Sequence, residues 1–147
     1  LLGQFFDVET QLGEVKKNTD FGIFGTVNDP LENPLYPNGL LVGTRADVHV
    51  GEAQLLTTLV DGKIRAYDCE IVKLTEQSVP TTRSMVVKVT DDDLLDATGG
   101  IVQGMSGSPI VQDGRLVGAV THVFINDPAQ GYGIYIEWML DAAREGS

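Results

Sequence analysis

Short stretches of alternating apolar and polar residues recur along the chain and are separated by Gly, Pro and Asp-Gly pairs. Residues 5–8 and 14–17 read as short, edge-like strands. Over residues 21–27, Phe21, Ile23 and Gly25 alternate with Gly22, Phe24 and Thr26, the period of a half-buried strand. Residues 29–39 carry Pro30, Pro34 and Pro37 and read as a loop, after which a strand resumes over 40–43. The longer runs 53–60 and 63–74 flank Asp61-Gly62, and Asp-Gly between apolar runs is a strong hairpin signal. A further strand covers 85–90. Residues 91–99 read as one helical turn, with Asp91 as N-cap, acidic residues at its positive end and Gly99 closing it. A second Asp-Gly hairpin is centred on Asp113-Gly114. A turn at Asn126-Asp127-Pro128, a strand over 131–136 and a helix over 137–144 complete the chain. Several short strands with one terminal helix predict an all-β antiparallel barrel or sandwich. No internal repeat or low-complexity segment interrupts the pattern.

Composition narrows the picture. With 147 residues and 42% hydrophobic content, the chain can bury the core of a single domain. No apolar run approaches the roughly 18–20 residues that span a bilayer. Twenty-one acidic against ten basic residues give a net charge of −11, which repels phosphate backbones and anionic membrane surfaces. Nucleic acid is therefore not an expected partner, and the acidic excess reads as a solubility feature. The single cysteine, Cys69, alternates with Tyr67 and Ile71 on one strand face and reads as a small core residue. With one cysteine and two histidines, no zinc ligand set can be drawn, and no metal or organic cofactor is expected. The start Leu1-Leu2-Gly3-Gln4 lacks Met and a signal-peptide pattern, so a processed or truncated piece is expected. Lack of disulfides does not exclude export for a chain of this size.

The candidate chemistry lies in Gly104-Met105-Ser106-Gly107-Ser108-Pro109. A serine between glycines, followed by Pro, suits a tight turn that exposes a nucleophilic hydroxyl, although Gly/Ser/Pro clusters also make plain surface turns. Such a turn can aim the N–H groups of Gly104 and Ser106 at a developing oxyanion. Serine turn, hairpin, loop, strand and terminal helix follow in the order seen at the end of a trypsin-like serine peptidase. Against that pattern, Met105 replaces Asp, Ser108 replaces Gly, and His122 replaces Trp within Thr121-His122-Val123. The missing Asp puts in doubt any activation by an N-terminal amine.

The stretch Thr98-Gly99-Gly100-Ile101-Val102-Gln103 with the serine motif resembles the stage IV sporulation protein B peptidase family. Gly118-Ala119-Val120-Thr121-His122-Val123-Phe124, Gly131-Tyr132-Gly133, Ile136-Glu137-Trp138-Met139-Leu140 and Phe21-Gly22-Ile23-Phe24-Gly25-Thr26 carry the resemblance further. It implies the second barrel of a two-barrel trypsin-like fold, with a short C-terminal helix and a linker at about residues 1–20. Residues 1–147 are then a single, partial peptidase domain. It implies a serine endopeptidase with Ser106 as nucleophile and Thr98, Gly99, Gly100, Thr121, His122 and Val123 walling the pocket for the residue before the cleaved bond. Those walls are apolar or neutral and carry no clear charge preference. The family's acidic residue falls on Asp91, which reads equally as a helix N-cap. Its catalytic histidine belongs to a Gly-His segment upstream of the Phe21 block, and nothing before Phe21 matches it, so the base is expected outside this chain. His49 reads as structural or surface, and His122 as a cleft wall rather than a base. The resemblance also implies a protein or peptide substrate, a missing N-terminal half of the peptidase domain and a PDZ-type domain upstream. It further implies secretion into the space between the forespore membranes and a role in a proteolytic checkpoint. A non-catalytic peptide-binding or assembly barrel, and a domain-swapped oligomer, are the alternatives.

Overall fold

Asp113 (φ 51°) and Gly114 (φ 73°) form a two-residue turn with both central residues left-handed, the geometry that matches the twist of a tight hairpin. The computed structural model in which this turn lies describes residues 12–59, 61–76 and 78–145. In chain order the strands are β1 (Gly13–Thr19), β2 (Gly22–Val27), β3 (Leu41–Val42), β4 (Gly51–Thr58), β5 (Ile64–Leu74) and β6 (Met85–Val89). Helix α1 (Asp92–Thr98), β7 (Pro109–Gln112), β8 (Arg115–Val123), β9 (Gln130–Tyr135) and α2 (Ile136–Arg144) follow. The expected strand over 5–8 lies outside the described residues. Residues 13–19 of the expected linker form β1, which pairs with β2 as a separate antiparallel hairpin.

Strands β4 to β9 make one sheet in the order β8-β7-β4-β5-β6-β9, and β9 pairs back onto β8. The sheet is thus a closed antiparallel barrel of six strands, which leaves no edge along most of its length. β3 adds to β8 in parallel, Leu41 facing Arg115. Closure demands small residues at the seam. A Cβ on Gly118 would run into the Ile134 carbonyl oxygen of β9, so glycine there lets the two strands approach.

The alternation read from the sequence becomes an inside and an outside. Leu55, Ile71, Met85, Val87, Ile110 and Ile134 are fully buried in the barrel, while Lys88 between Val87 and Val89 is exposed. Filling the barrel with branched apolar side chains stabilises it by about 1.5–3 kcal/mol per buried side chain. α1 docks through Leu94, which is fully buried, and α2 through Trp138 and Ala142. Ile136, expected at the end of the last strand, instead opens α2. Cys69 is buried as expected, and burial pushes its thiol up to about 12.

Candidate active site

Ser106 sits on a turn that is tied to β8 from both sides. The Gly107 N–H donates to the Val120 carbonyl at 2.7 Å, and the Val120 N–H donates to the Ser108 carbonyl at 3.0 Å. Within the turn, Met105 N–H donates to Val102 O at 3.1 Å and Ser108 N–H to Met105 O at 2.9 Å. Gly104 (φ 100°) and Gly107 (φ 90°) take conformations that side chains rarely adopt, which explains the glycine on each flank. Met105, in the position where the trypsin-like pattern has Asp, is buried in the core. Apolar packing therefore anchors the turn where an ion pair would otherwise do so.

The Ser106 side chain is left exposed, and its Oγ donates to the Thr121 carbonyl at 3.3 Å. Among the described residues, neither the Gly104 nor the Ser106 N–H has a protein acceptor. The Thr121 hydroxyl is anchored beneath, 2.7 Å from Thr82 O and 3.2 Å from Tyr132 O.

Two hollows meet at Ser106. One, of about 230 Å³, is lined by Ile101, Val102, Gln103 and the β8 segment Val120 to Val123. Ile101 and Val120 are buried and form its apolar floor. The other, of about 510 Å³, lies between β8 and the turn that joins β1 to β2. His122 stands on the rim of both. Its Nδ1 lies 3.0 Å from Thr121 Oγ1, and its ring meets Tyr132 edge-on at 6.5 Å. Neither His122 nor His49 hydrogen-bonds Ser106 among the described residues.

Thus Thr121, His122 and Val123 are brought to the serine. Thr98 and Gly99 instead finish α1: the Thr98 hydroxyl lies 2.9 Å from Leu94 O and 2.6 Å from Gly100 O, and Gly99 is the left-handed C-cap. The smaller hollow is lined instead by Ile101, Val102 and Gln103. Their place directly before Gly104 was the available signal. The β1–β2 turn beside the serine had no sequence signal linking it to Ser106.

Asp91 caps α1. One carboxylate oxygen accepts from Asp93 N–H at 3.0 Å and Leu94 N–H at 3.2 Å, and the other accepts from Asp68 N–H at 3.0 Å. No hydrogen bond or ion pair joins it to Ser106 or to a histidine. His49 lies by the Asp113-Gly114 turn, with Nε2 2.7 Å from Asp113 Oδ2. The Asp113 hydrogen bond, followed by that to Val50 O, raises its pKa above the ordinary histidine value. No group of three or more His, Cys, Asp or Glu among the described residues is placed to hold a metal ion. No described helix is long and apolar enough to cross a membrane.

The family model described as SpoIVB peptidase S55 matches residues 1–140. No curated protein matches the chain. Among solved structures, the active form of the Rv3671c protease from M. tuberculosis is similar with a TM-score of 0.60 at 18% identity, covering 90% of this chain and 57% of that one. An inactive serine-to-alanine form of Rv3671c from M. tuberculosis H37Rv gives a TM-score of 0.62 at 16% identity, covering 92% of this chain and 67% of that one. The chain thus spans little more than half the length of the first of these structures. The likeness is one of fold: the trypsin-like all-β barrel with a short terminal helix.

Proposed function

Because the chain belongs to the SpoIVB peptidase S55 family, we propose that it carries the nucleophilic half of a serine endopeptidase, with Ser106 as the attacking residue. The observation that supports this most directly is the Ser106 turn itself: an exposed hydroxyl pinned to β8, beside two N–H groups without acceptors. Ser106 Oγ attacks the substrate carbonyl and forms an acyl-enzyme as the amine leaves; water then releases the acid. The Gly104 and Ser106 N–H groups receive the oxyanion, and each such donor is worth about 10²–10³ in rate. A histidine supplied by the chain ahead of Leu1 takes the serine proton and passes it to the leaving amine.

The substrate binds as an added strand. β7 pairs with β8 only as far as Ala119, and β9 holds the other side of β8. Beyond Ala119 the backbone of Thr121 to Val123 is therefore open to an extended peptide. The side chain before the cleaved bond enters the hollow floored by Ile101 and Val120. Its apolar floor, and a lining without Asp, Glu, Lys or Arg, favour a small or medium aliphatic residue there. Three backbone donors on its carboxylate favour the capping role for Asp91. The family further suggests a secreted enzyme working between the forespore membranes on a regulatory protein during sporulation.

The absence of an imidazole bonded to Ser106 among the described residues favours a second reading, a non-catalytic peptide-binding or assembly barrel. A fluorophosphonate added to the full-length protein separates the two. The expected result is labelling of Ser106, with Ser106→Ala abolishing both labelling and cleavage. Cleavage that survives in Ser106→Ala overturns the peptidase reading, and a folded full-length protein that neither labels nor cleaves supports the second.

A further inference from the structure

Resting on the reading of Ser106 as nucleophile, we propose that the substrate carries a basic residue, Lys or Arg, at the second position before the cleaved bond. Asp20, at the tip of the β1–β2 hairpin, is the residue that sets this preference. Strand geometry fixes where that side chain goes. The Ser106 hydroxyl donates to Thr121 O at 3.3 Å, so the Thr121 carbonyl faces the serine. The His122 carbonyl faces the other way, toward β9, where a Cβ on Gly131 would run into it. By the alternation of a strand, the Val123 carbonyl returns to the serine side. An antiparallel peptide added there pairs through its first and third residues before the cleaved bond, opposite Thr121 and Val123. Its second residue stands across from His122, and residues directly opposite one another send their side chains to the same face. The first side chain thus enters the hollow floored by Ile101, while the second is sent to the His122 side of the peptide.

On that side lies a hollow of about 360 Å³ lined by Asp20, Phe21, Pro80, Thr81, Thr82 and His122. Phe21 and Pro80 offer apolar surface to the long aliphatic stem of a Lys or Arg. The backbone acceptors beside them are already engaged. Thr82 O takes the Thr121 hydroxyl at 2.7 Å, and Thr81 O takes the Ser84 hydroxyl at 2.8 Å. The Asp20 carboxylate, by contrast, has no hydrogen bond or ion pair with the described residues. Among the described residues, it is the one acidic side chain lining any of the three hollows that meet His122, and no Lys or Arg lines them. Arg83, next in sequence to Thr82, lies instead over the Tyr132 ring, 5.2 Å from its centroid.

The hairpin tip is also held in place. Phe21 N–H donates to Thr19 Oγ1 at 3.1 Å, Phe21 packs against the core, and Lys17 Nζ donates to Ala142 O of α2 at 3.1 Å. A charge on a fixed turn meets an incoming side chain without a further ordering cost. Because Asp20 is exposed to water, its attraction for a cation and its repulsion of an anion are each worth a few-fold. The two effects multiply when Lys is compared with Glu.

The test uses the full-length protein and four peptides that differ only in having Lys, Arg, Leu or Glu at the second position before the cleaved bond. The expected kcat/KM favours Lys and Arg over Glu by about 10-fold, with Leu between, and the preference shrinks in high salt. Asp20→Asn brings the ratio to within about threefold, and Asp20→Lys reverses it. Exposed Asp96 of α1 lines none of these hollows, and Asp96→Lys makes the same change in net charge. Its ratio stays as in wild type, which separates the local carboxylate from the overall charge of −11. The same peptides are ranked by fluorescence polarisation on full-length Ser106→Ala, which reads the subsite whether or not Ser106 is the nucleophile. A Lys-to-Glu ratio within about threefold in that binding series, or no detectable binding of the Lys peptide to the folded protein, overturns the proposal. So does a preference that Asp20→Lys leaves unreversed or that Asp96→Lys removes equally. The nucleophile reading fails on a different result, cleavage that survives in Ser106→Ala.

Discussion

Replacing Asp91 by Ala removes three hydrogen bonds at once, and their sum can be worked out. Two of them come from Asp93 and Leu94 N–H groups at the start of α1, and loss of such a cap costs about 1 kcal/mol (0.5–2). The third, from Asp68 N–H, joins the cap to β5. It is exposed enough for water to replace the carboxylate, so its loss adds about 0.5–1 kcal/mol. The total of about 1.5–2 kcal/mol corresponds to a fall in Tm of about 5–7 °C for a domain of this size. Helix α1 stays docked, because Leu94 remains buried and Gly99 N–H still donates to Leu95 O at 2.8 Å. Asp91→Asn keeps an oxygen to cap the helix but has no second acceptor for Asp68, so it loses about half as much. Thermal unfolding of the two variants, with amide exchange at Asp68 and Leu94, measures this. A Tm for Asp91→Ala within about 1 °C of wild type refutes the reasoning.

Two further outcomes are expected. Ile101→Ala deepens the hollow beside Ser106, so kcat/KM for peptides with Leu or Phe before the cleaved bond rises about 10- to 100-fold relative to those with Ala or Val; an unchanged preference in a folded variant argues against that hollow as the pocket. For His49, the Asp113 hydrogen bond raises the folded-state pKa, so its stabilisation is fully present below the unfolded value of about 6.5 and is lost as pH rises through the raised value. The Tm difference between wild type and His49→Gln should thus be largest below about pH 6.5 while Asp113 stays ionised, fall away as pH rises through the raised value and shrink in high salt, and a difference that grows with pH contradicts this.

Much of the barrel was legible because strand burial has a period of two and Asp-Gly turns have a steric cause. The Asp113-Gly114 hairpin, the proline loop and the α1 cap at Asp91 all follow from local rules that act within a few residues. The boundary at Ile136 was missed by one residue because an apolar residue continues a strand pattern as readily as it opens a helix. The hollow beside Ser106 is lined by Ile101 to Gln103, three residues after the expected Thr98 to Gly100. Nothing local distinguishes Thr98 to Gly100, which close α1, from Ile101 to Gln103, which turn into the hollow.

From the sequence alone came the Ser106 turn, its two special glycines, the family, and the antiparallel barrel with a terminal helix. Each of these depends on residues near one another in the chain. Tertiary structure decided which distant groups share the serine's surroundings. Closure of β9 onto β8 sets Thr121 beneath Ser106, and the anchoring of β1–β2 on α2 brings Asp20 to the same cleft, 86 residues away in the chain (106 − 20). Asp91, only 15 residues from Ser106 (106 − 91), is held at the start of α1 by backbone donors. Sequence distance says nothing of such juxtapositions, because barrel closure and hairpin docking are long-range packing events with no local code.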